Sequence, residues 1–352
     1  MNNINKLMEW LGENDSKYKN IFFKNNKGNR SVYTNNNIKE NKIVISIPLK
    51  CLIHDGLAEK TQIGREFIKS DHSKCNNIKL TLIVIYILTS IKDNGFYSPY
   101  YNIFPDNIEN FPIFWRDSTI KILKGSNILD IIIDRKNNFI NDYNVVCECS
   151  ETFKNNFSFF DFVYIRTIVG SRNFGINING VNRSAMVPLA DMLNHNIPPN
   201  VNWSFNNSSN CFEMISNRSI KKNEEINDSY GNKCNSKLLT FYGFTLNNND
   251  DNTLNIVIHD KETDLKFKDS LKKTLDDDNY KTLFAFLRSV VCKKKSLTFT
   301  NFKDPINIET EICCLTYFHK YLNEKLKNYN SMRYLLNIIN KTSVKDEKHI
   351  AC

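Results

Sequence analysis

Ser184-Ala185-Met186-Val187-Pro188-Leu189-Ala190-Asp191-Met192-Leu193-Asn194-His195 and, further along, Asp228-Ser229-Tyr230-Gly231-Asn232-Lys233-Cys234-Asn235 decide how this chain is read. In the first stretch an apolar strand, Met186 to Leu189, runs toward an Asn-His pair, so the pair stands near a strand end where a ligand can reach it. The second is a polar turn punctuated by glycine, and it presents a tyrosine. Taken alone, Asn-His reads as an Asx-type turn with a satisfied histidine. Its surroundings weaken that reading. Arg172 lies upstream in Val169-Gly170-Ser171-Arg172-Asn173-Phe174, Asp191 precedes the pair, and Tyr242 follows in Phe241-Tyr242-Gly243-Phe244. Tyr242 by itself is equally well explained as a core aromatic at a domain junction.

Working outward, Ile4, Leu7, Met8 and Leu11 recur at helical spacing and Gly12 closes the run, which predicts a short amphipathic helix. Ile43, Val44, Ile45 and Ile47 predict a strand from Lys42 to Pro48. From about 55 to 165 the pattern turns helical around the apolar segment Leu80 to Leu88, which reads as a buried helix. Short strands return at Met186 to Leu189, Val201 to Phe205 and Phe212 to Ile215. The Asn- and Asp-rich stretch 246–253 reads as a linker. Two helical stretches follow: Leu265 to Val291, broken by Asp276-Asp277-Asp278, and Ile308 to Lys327. The second carries Ile308, Ile312, Leu315, Leu322 and Leu326 on one face, with Asn307 as N-cap.

Composition narrows the function classes. A chain of 352 residues, 41% of them hydrophobic, can fill two domains, or one domain with a large insertion. The net charge of +9 comes with lysine clusters such as Lys221-Lys222, Lys272-Lys273 and Lys293-Lys294-Lys295. Solvated faces explain these more simply than nucleic acid does, since no aromatic platform interleaves them. The ten cysteines include no Cys-x-x-Cys, and Cys147-x-Cys149 and Cys313-Cys314 lack companion ligands, so no metal site is expected. Scattered thiols without a signal peptide predict an intracellular protein, cytoplasmic or nuclear. The longest apolar run falls well short of the ~20 residues that cross a bilayer. No Gly-x-x-x-x-Gly-Lys loop or Gly-x-Ser-x-Gly elbow is present. The remaining histidines (His54, His72, His259, His319, His349) are isolated, and His319 reads as a core-edge residue.

Val187 to His195, Glu224-Glu225-Ile226-Asn227-Asp228-Ser229-Tyr230-Gly231 and Asn235 to Phe244 together resemble the SET core of the Rubisco large-subunit methyltransferase family. Weaker similarities run through Trp10-Leu11, Tyr97-Ser98-Pro99-Tyr100, Pro105, Phe114-Trp115 and Leu123-Lys124-Gly125. The resemblance implies an α+β fold, with a β-rich SET core threaded in a knot-like manner, a helical insertion and an all-α C-terminal domain. Its boundaries would be an N-terminal helix at 1–19, a split core at 20–60 and 160–246, an insertion at 61–159 and a substrate-binding domain at 254–352.

What the resemblance implies about chemistry is transfer of a methyl group from S-adenosylmethionine to a protein lysine. Tyr230 would be the catalytic tyrosine. Gly28, Arg30, Arg172, Asn194, His195, Tyr230 and Tyr242 would contact the methyl donor, with Asn194 and His195 at its adenine end and Arg172 at its amino-acid end. Asp191, Phe174, Trp203 and Tyr242 would shape the target side-chain channel. The histidine-directed branch carries an amide near Phe174 and a tryptophan near Ala190, so the aromatic and small residues here favour lysine. Two departures stand out. Ser31, in Gly28-Asn29-Arg30-Ser31, replaces the second glycine of a Gly-x-Gly turn, which predicts a shifted turn and weaker donor binding. Asn223 replaces a glycine before the Glu-Glu pair, a mild change because asparagine tolerates left-handed backbone. The expected partner is a protein substrate, met by a monomer with no membrane role, and nucleic-acid association is kept only as a minor third reading. The chain's end at Ile350-Ala351-Cys352 predicts a short terminal helix or none. A protein-binding scaffold that merely keeps the fold is the rival from another class.

Overall fold

The computed structural model describes every residue except 1, 19, 27–28, 273–277, 294–301 and 342–352. Its chain divides into two compact units, Met1–Ile108 with Arg135–Gly231, and Glu109–Asp134 with Asn232–Cys352.

The first unit is assembled from short strands, as the sequence predicts. Ile43–Pro48 pairs antiparallel with Cys211–Ser216, which pairs in turn with Val201–Asn206. A second three-stranded sheet orders Ile53–His54, Val181–Met186 and Asn173–Ile178. Strands Ile21–Asn26 and Asn29–Thr34 form a hairpin that the apolar pattern did not reveal. The strand expected at Met186 to Leu189 ends instead at Met186. Three residues on, Leu189 adopts φ 71° and ψ −47° while fully buried. That backbone costs a non-glycine residue about 1–3 kcal/mol, and the turn delivers Asp191 into the interior. Asn194–His195 and Asn227–Asp228 then lie side by side as a two-residue parallel pair.

Helices cover this sheet system. The first, Asn2–Glu13, buries Leu7, Trp10 and Leu11 at helical spacing. Ile78–Ser90 is apolar nearly all round, capped by Asn77 and sunk in the core. Phe159–Arg172 begins with a Ser158–Asp161 capping box and ends at the arginine that enters the site. Gly64 sits in helix Gln62–Lys69 because a Cβ there would come 2.0 Å from the Ala58 carbonyl oxygen.

In the second unit, helix Ile308–Leu326 has the expected N-cap, with Asn307 accepting from Thr310 at 2.8 Å. Two expectations change. The stretch read as helical from Leu265 opens as a hairpin, Thr253–His259 against Lys266–Lys272, and helix starts only at Asp278–Val291. The C-terminal region is therefore helical with a β-hairpin at its start, not all-α. The face of the long helix that carries Ile308, Ile312 and Leu315 is exposed, and Cys314, Tyr317, Phe318, Tyr321 and Leu322 pack on the core instead. Aromatic rings next to the buried Cys314 fill more volume than the three aliphatics, so they set the orientation. His319 is exposed and bonded to Asn323, not at a core edge. His349 and the chain's end lie outside the described residues. Among the described residues no helix is long and apolar enough to cross a membrane.

Candidate active site

The last turn of helix Phe159–Arg172 carries Arg172 to Asp191. Its Nη1 donates to the Asp191 carbonyl oxygen at 3.1 Å and to Oδ2 at 3.3 Å. The Asp191 carboxylate is fully buried, and the Tyr100 hydroxyl donates to the same Oδ2 at 2.7 Å. Burial pulls the guanidinium of Arg172 down, but Asp191 together with Tyr100 and Tyr230 offsets it, leaving Arg172 above its ordinary value. Tyr100 is held well above its ordinary value by burial and then by the neighbouring Asp191, so it stays a donor. Arg30 faces the same group and is lowered, by burial and then by repulsion from Arg172. Two cations thus share one carboxylate. Asp191 Oδ1, also buried, has no hydrogen-bond partner among the described residues.

Asn194 stands on the adjoining strand end. Its Nδ2 donates to Glu225 Oε1 at 2.7 Å, to Ser31 Oγ at 2.9 Å and weakly to the Arg30 carbonyl at 3.3 Å. His195 Nδ1 accepts the backbone N–H of Tyr230 at 3.0 Å, and the two rings stack with centroids 5.2 Å apart. Since Nδ1 accepts, the neutral imidazole carries its proton on Nε2. The Tyr230 hydroxyl donates to the Leu193 carbonyl at 2.7 Å. Asn200, almost fully buried, holds the segment that leads into the second strand of the pair. Its Nδ2 donates to the Glu225 carbonyl and its Oδ1 accepts from the Asn227 N–H, both at 2.8 Å. Beside the tyrosine, Asp228 is 4% exposed and burial pushes its carboxyl up to about 6, against a smaller lowering from the Ser229 N–H.

Phe174, Trp203 and Phe212 form a three-ring cluster. Phe174 meets Trp203 edge-on at 5.3 Å and Phe212 at 4.9 Å, while Trp203 stacks on Phe212 at 5.6 Å. Tyr242 belongs to the second unit, where it ends helix Asn235–Tyr242 with Lys233 Nζ 5.8 Å from its ring centroid. Gly28 lies outside the described residues. The two departures resolve differently from each other. Asn223 takes φ 65°, the left-handed backbone expected of it. Ser31 sits in strand Asn29–Thr34 opposite Lys24 and needs no positive φ, while residues 27–28 of the turn lie outside the described residues.

Of the residues singled out in the sequence, Arg30, Arg172 and Asp191 therefore meet in one polar cluster, and Asn194, His195 and Tyr230 converge beside it. The sequence assigns no role at the site to Tyr100, Glu225 or Asp228, and it marks Ser31 only as a replaced glycine. Only Tyr100 had a local signal, a tyrosine in a run of buried aromatics whose hydroxyl must find a partner.

The model of the SET domain matches residues 29–231. The chain belongs to the SET-domain family. Among curated relatives, it is 27% identical to the N-lysine methyltransferase setd6 of Danio rerio over 226 residues, 59% of this chain and 48% of that one. It is 28% identical to the ribosomal lysine N-methyltransferase 4 of Saccharomyces cerevisiae over 192 residues, 47% and 38% of the two chains. The chain thus spans about half or less of the length of these curated relatives. In structure it is similar to the SET domain of LSMT bound to lysine and AdoHcy, with a TM-score of 0.78 at 15% identity, covering 99% of this chain and 87% of that one. Rubisco LSMT bound to AdoMet gives 0.72 at 16% identity, with 99% and 87% coverage. This SET-domain chain therefore has the LSMT fold, the architecture that the motifs around Asn194 and Tyr230 predict.

Proposed function

We propose that the chain is an S-adenosylmethionine-dependent protein-lysine N-methyltransferase. The observation that carries this reading is the convergence of Tyr230, His195 and Asn194 on the paired strand ends, beside a polar cluster with surplus positive charge. The residues suit a zwitterionic methyl donor. Arg30 and Arg172 share a single carboxylate, which leaves positive potential for the donor's own carboxylate. Asn194, with its N–H groups turned to Glu225 and Ser31, keeps its amide oxygen for an N–H of the donor. S-adenosylmethionine, when bound, supplies an electrophilic methyl group on a sulfonium.

The protein's part is alignment and electrostatics. Tyr230, its proton committed to the Leu193 carbonyl, presents oxygen lone pairs toward the positive charge that moves onto the attacking amine. A neutral amine is required, and its proton leaves to solvent before attack, so no strong base is needed. Phe174, with Trp203 and Phe212, offers an apolar wall that suits the aliphatic stem of lysine. Imidazole would need a hydrogen-bond partner in that wall to fix its tautomer. The helical region from about 254 would present another protein, met by a monomer in the cytosol or nucleus. The SET core would span 20–60 and 160–246, with 61–159 as its insertion.

Calorimetric titration with S-adenosylmethionine, beside the Asn194→Ala variant, tests the reading. Saturable binding that the variant loses is the expected result. A folded wild-type protein that binds no donor overturns it, and the scaffold alternative then stands.

A further inference from the structure

We infer that Glu225 and Ser31 are positioning residues that lock the side-chain amide of Asn194 in one orientation for the methyl donor, an inference that rests on the methyltransferase reading above. Three acceptors converge on Asn194 Nδ2: Glu225 Oε1 at 2.7 Å, Ser31 Oγ at 2.9 Å and the Arg30 carbonyl at 3.3 Å. An amide nitrogen has two hydrogens, so the two short contacts use both and the third is shared. Turning the amide over would place Oδ1 2.7 Å from a carboxylate oxygen, exchanging a charge-assisted hydrogen bond for repulsion between two acceptors. The flipped state is therefore suppressed. Oδ1 faces away from this trio, and no donor among the described residues is bonded to it.

Both positioning groups are themselves fixed. Strand Asn29–Thr34 is zipped to the segment that carries Glu225. Ile226 N–H donates to the Val32 carbonyl at 2.8 Å, Thr34 N–H to Glu224 at 3.1 Å and Asn223 N–H to Thr34 at 2.8 Å. That register sets Ser31 and Glu225 on either side of the amide. The Tyr33 hydroxyl reaches Glu225 Oε2 at 3.5 Å, and the backbone of Glu225 is held by Asn200. Ser31 stands where the family resemblance leads one to expect glycine, and glycine would supply no hydroxyl. The substitution adds an acceptor to the Asn194 network at a position whose strand backbone accommodates serine.

The test uses the full chain, with S-adenosylmethionine and S-adenosylhomocysteine titrated calorimetrically into wild type, Glu225→Ala, Glu225→Gln and Ser31→Gly. Thermal melts establish that each variant is folded. Loss of an orienting partner typically costs ~10–100-fold in affinity at bound-metal sites, and ~10-fold or more is expected here for Glu225→Ala. Glu225→Gln, which keeps an amide oxygen to accept from Asn194, restores binding to within ~3-fold, whereas Ser31→Gly loses a neutral hydrogen bond and weakens binding ~5-fold. Donor-free NMR of the Asn194 side-chain amide, assigned with Asn194→Ala, reads the orientation directly. Its protons exchange slowly in wild type and rapidly in Glu225→Ala. Equal exchange in the two proteins, or wild-type affinity in a folded Glu225→Ala, overturns the inference. Protected amide protons in a wild type that binds neither compound overturn the methyltransferase reading instead.

Discussion

Replacing Asp228 by asparagine should stabilise the fold, and increasingly so as pH rises. Asp228 is 4% exposed, and burial lifts its carboxyl from 3.8 to about 6. Its Oδ1 accepts the Ser229 N–H at 2.7 Å, a bond that an amide oxygen can keep. The sign follows from linkage. Between the two pKa values the folded state binds more protons than the unfolded one, so stability falls with pH across that window. The contribution of Asp228 is most favourable below 3.8 and is lost as pH rises through about 6. At ~1.4 kcal/mol per tenfold change, the full loss is about 3 kcal/mol, complete by neutral pH. Near pH 4.5 the unfolded carboxyl is already mostly ionised and about 1 kcal/mol has been lost. Asparagine carries no such penalty. The difference in unfolding free energy between variant and wild type should therefore grow by about 2 kcal/mol from pH 4.5 to pH 8. Urea denaturation of both proteins at half-unit pH steps measures it. A difference that stays flat across the range refutes the burial argument for Asp228, whatever its absolute size.

Three other outcomes are expected. Asp191→Ala leaves Arg30 and Arg172 without their shared carboxylate and the Tyr100 hydroxyl without its acceptor, so urea unfolding should report a loss of about 3–5 kcal/mol. Tyr230→Phe removes the hydroxyl bonded to Leu193 but keeps the ring on His195, so single-turnover methyl transfer should fall ~100-fold or more while calorimetric donor affinity changes little. Phe174→Asn puts an amide into the aromatic wall beside Trp203 and should lower methyl transfer to lysine peptides ~10-fold, read as kcat/KM at unchanged donor affinity.

The parts of the fold legible in the sequence are those fixed by local chemistry. The first helix follows from apolar spacing, strand Ile43–Pro48 from a β-branched run, and the start of the long C-terminal helix from one asparagine cap. The site pairing was not legible in this way. Asn194–His195 and Asn227–Asp228 are two-residue strands, too short for any periodic signal, and a register between distant segments leaves no local mark. Their convergence could be expected only from the family resemblance. The hairpin at 253–272 shows the opposite failure. Phe267 and Leu271 are spaced by four, which fits either period, and only their turning inward on a strand decides between the two. Ser31 was read for its backbone, as a glycine position disturbed. Its side chain, which the glycine comparison could not show, is what matters to Asn194.

The polar cluster also bears on whether the fold is kept for chemistry or only for shape. A scaffold gains nothing from burying Asp191. Its Oδ1 is sealed from solvent without a partner among the described residues, a cost of about 1–3 kcal/mol, and the guanidiniums of Arg30 and Arg172 repel one another. Apolar residues of similar volume at such a position are often neutral or stabilising, so shape alone does not require the cluster. Binding of an anionic group beside Arg30 and Arg172 would offset that cost, and the offset is measurable as stability. At a donor concentration ~100 times its Kd, mass action adds about 2.7 kcal/mol to the unfolding free energy. Thermal melts with S-adenosylmethionine should therefore shift upward with concentration in wild type and stay fixed in Asn194→Ala. Melts unmoved by donor in the wild type would mean that the buried charge serves something other than the methyl donor.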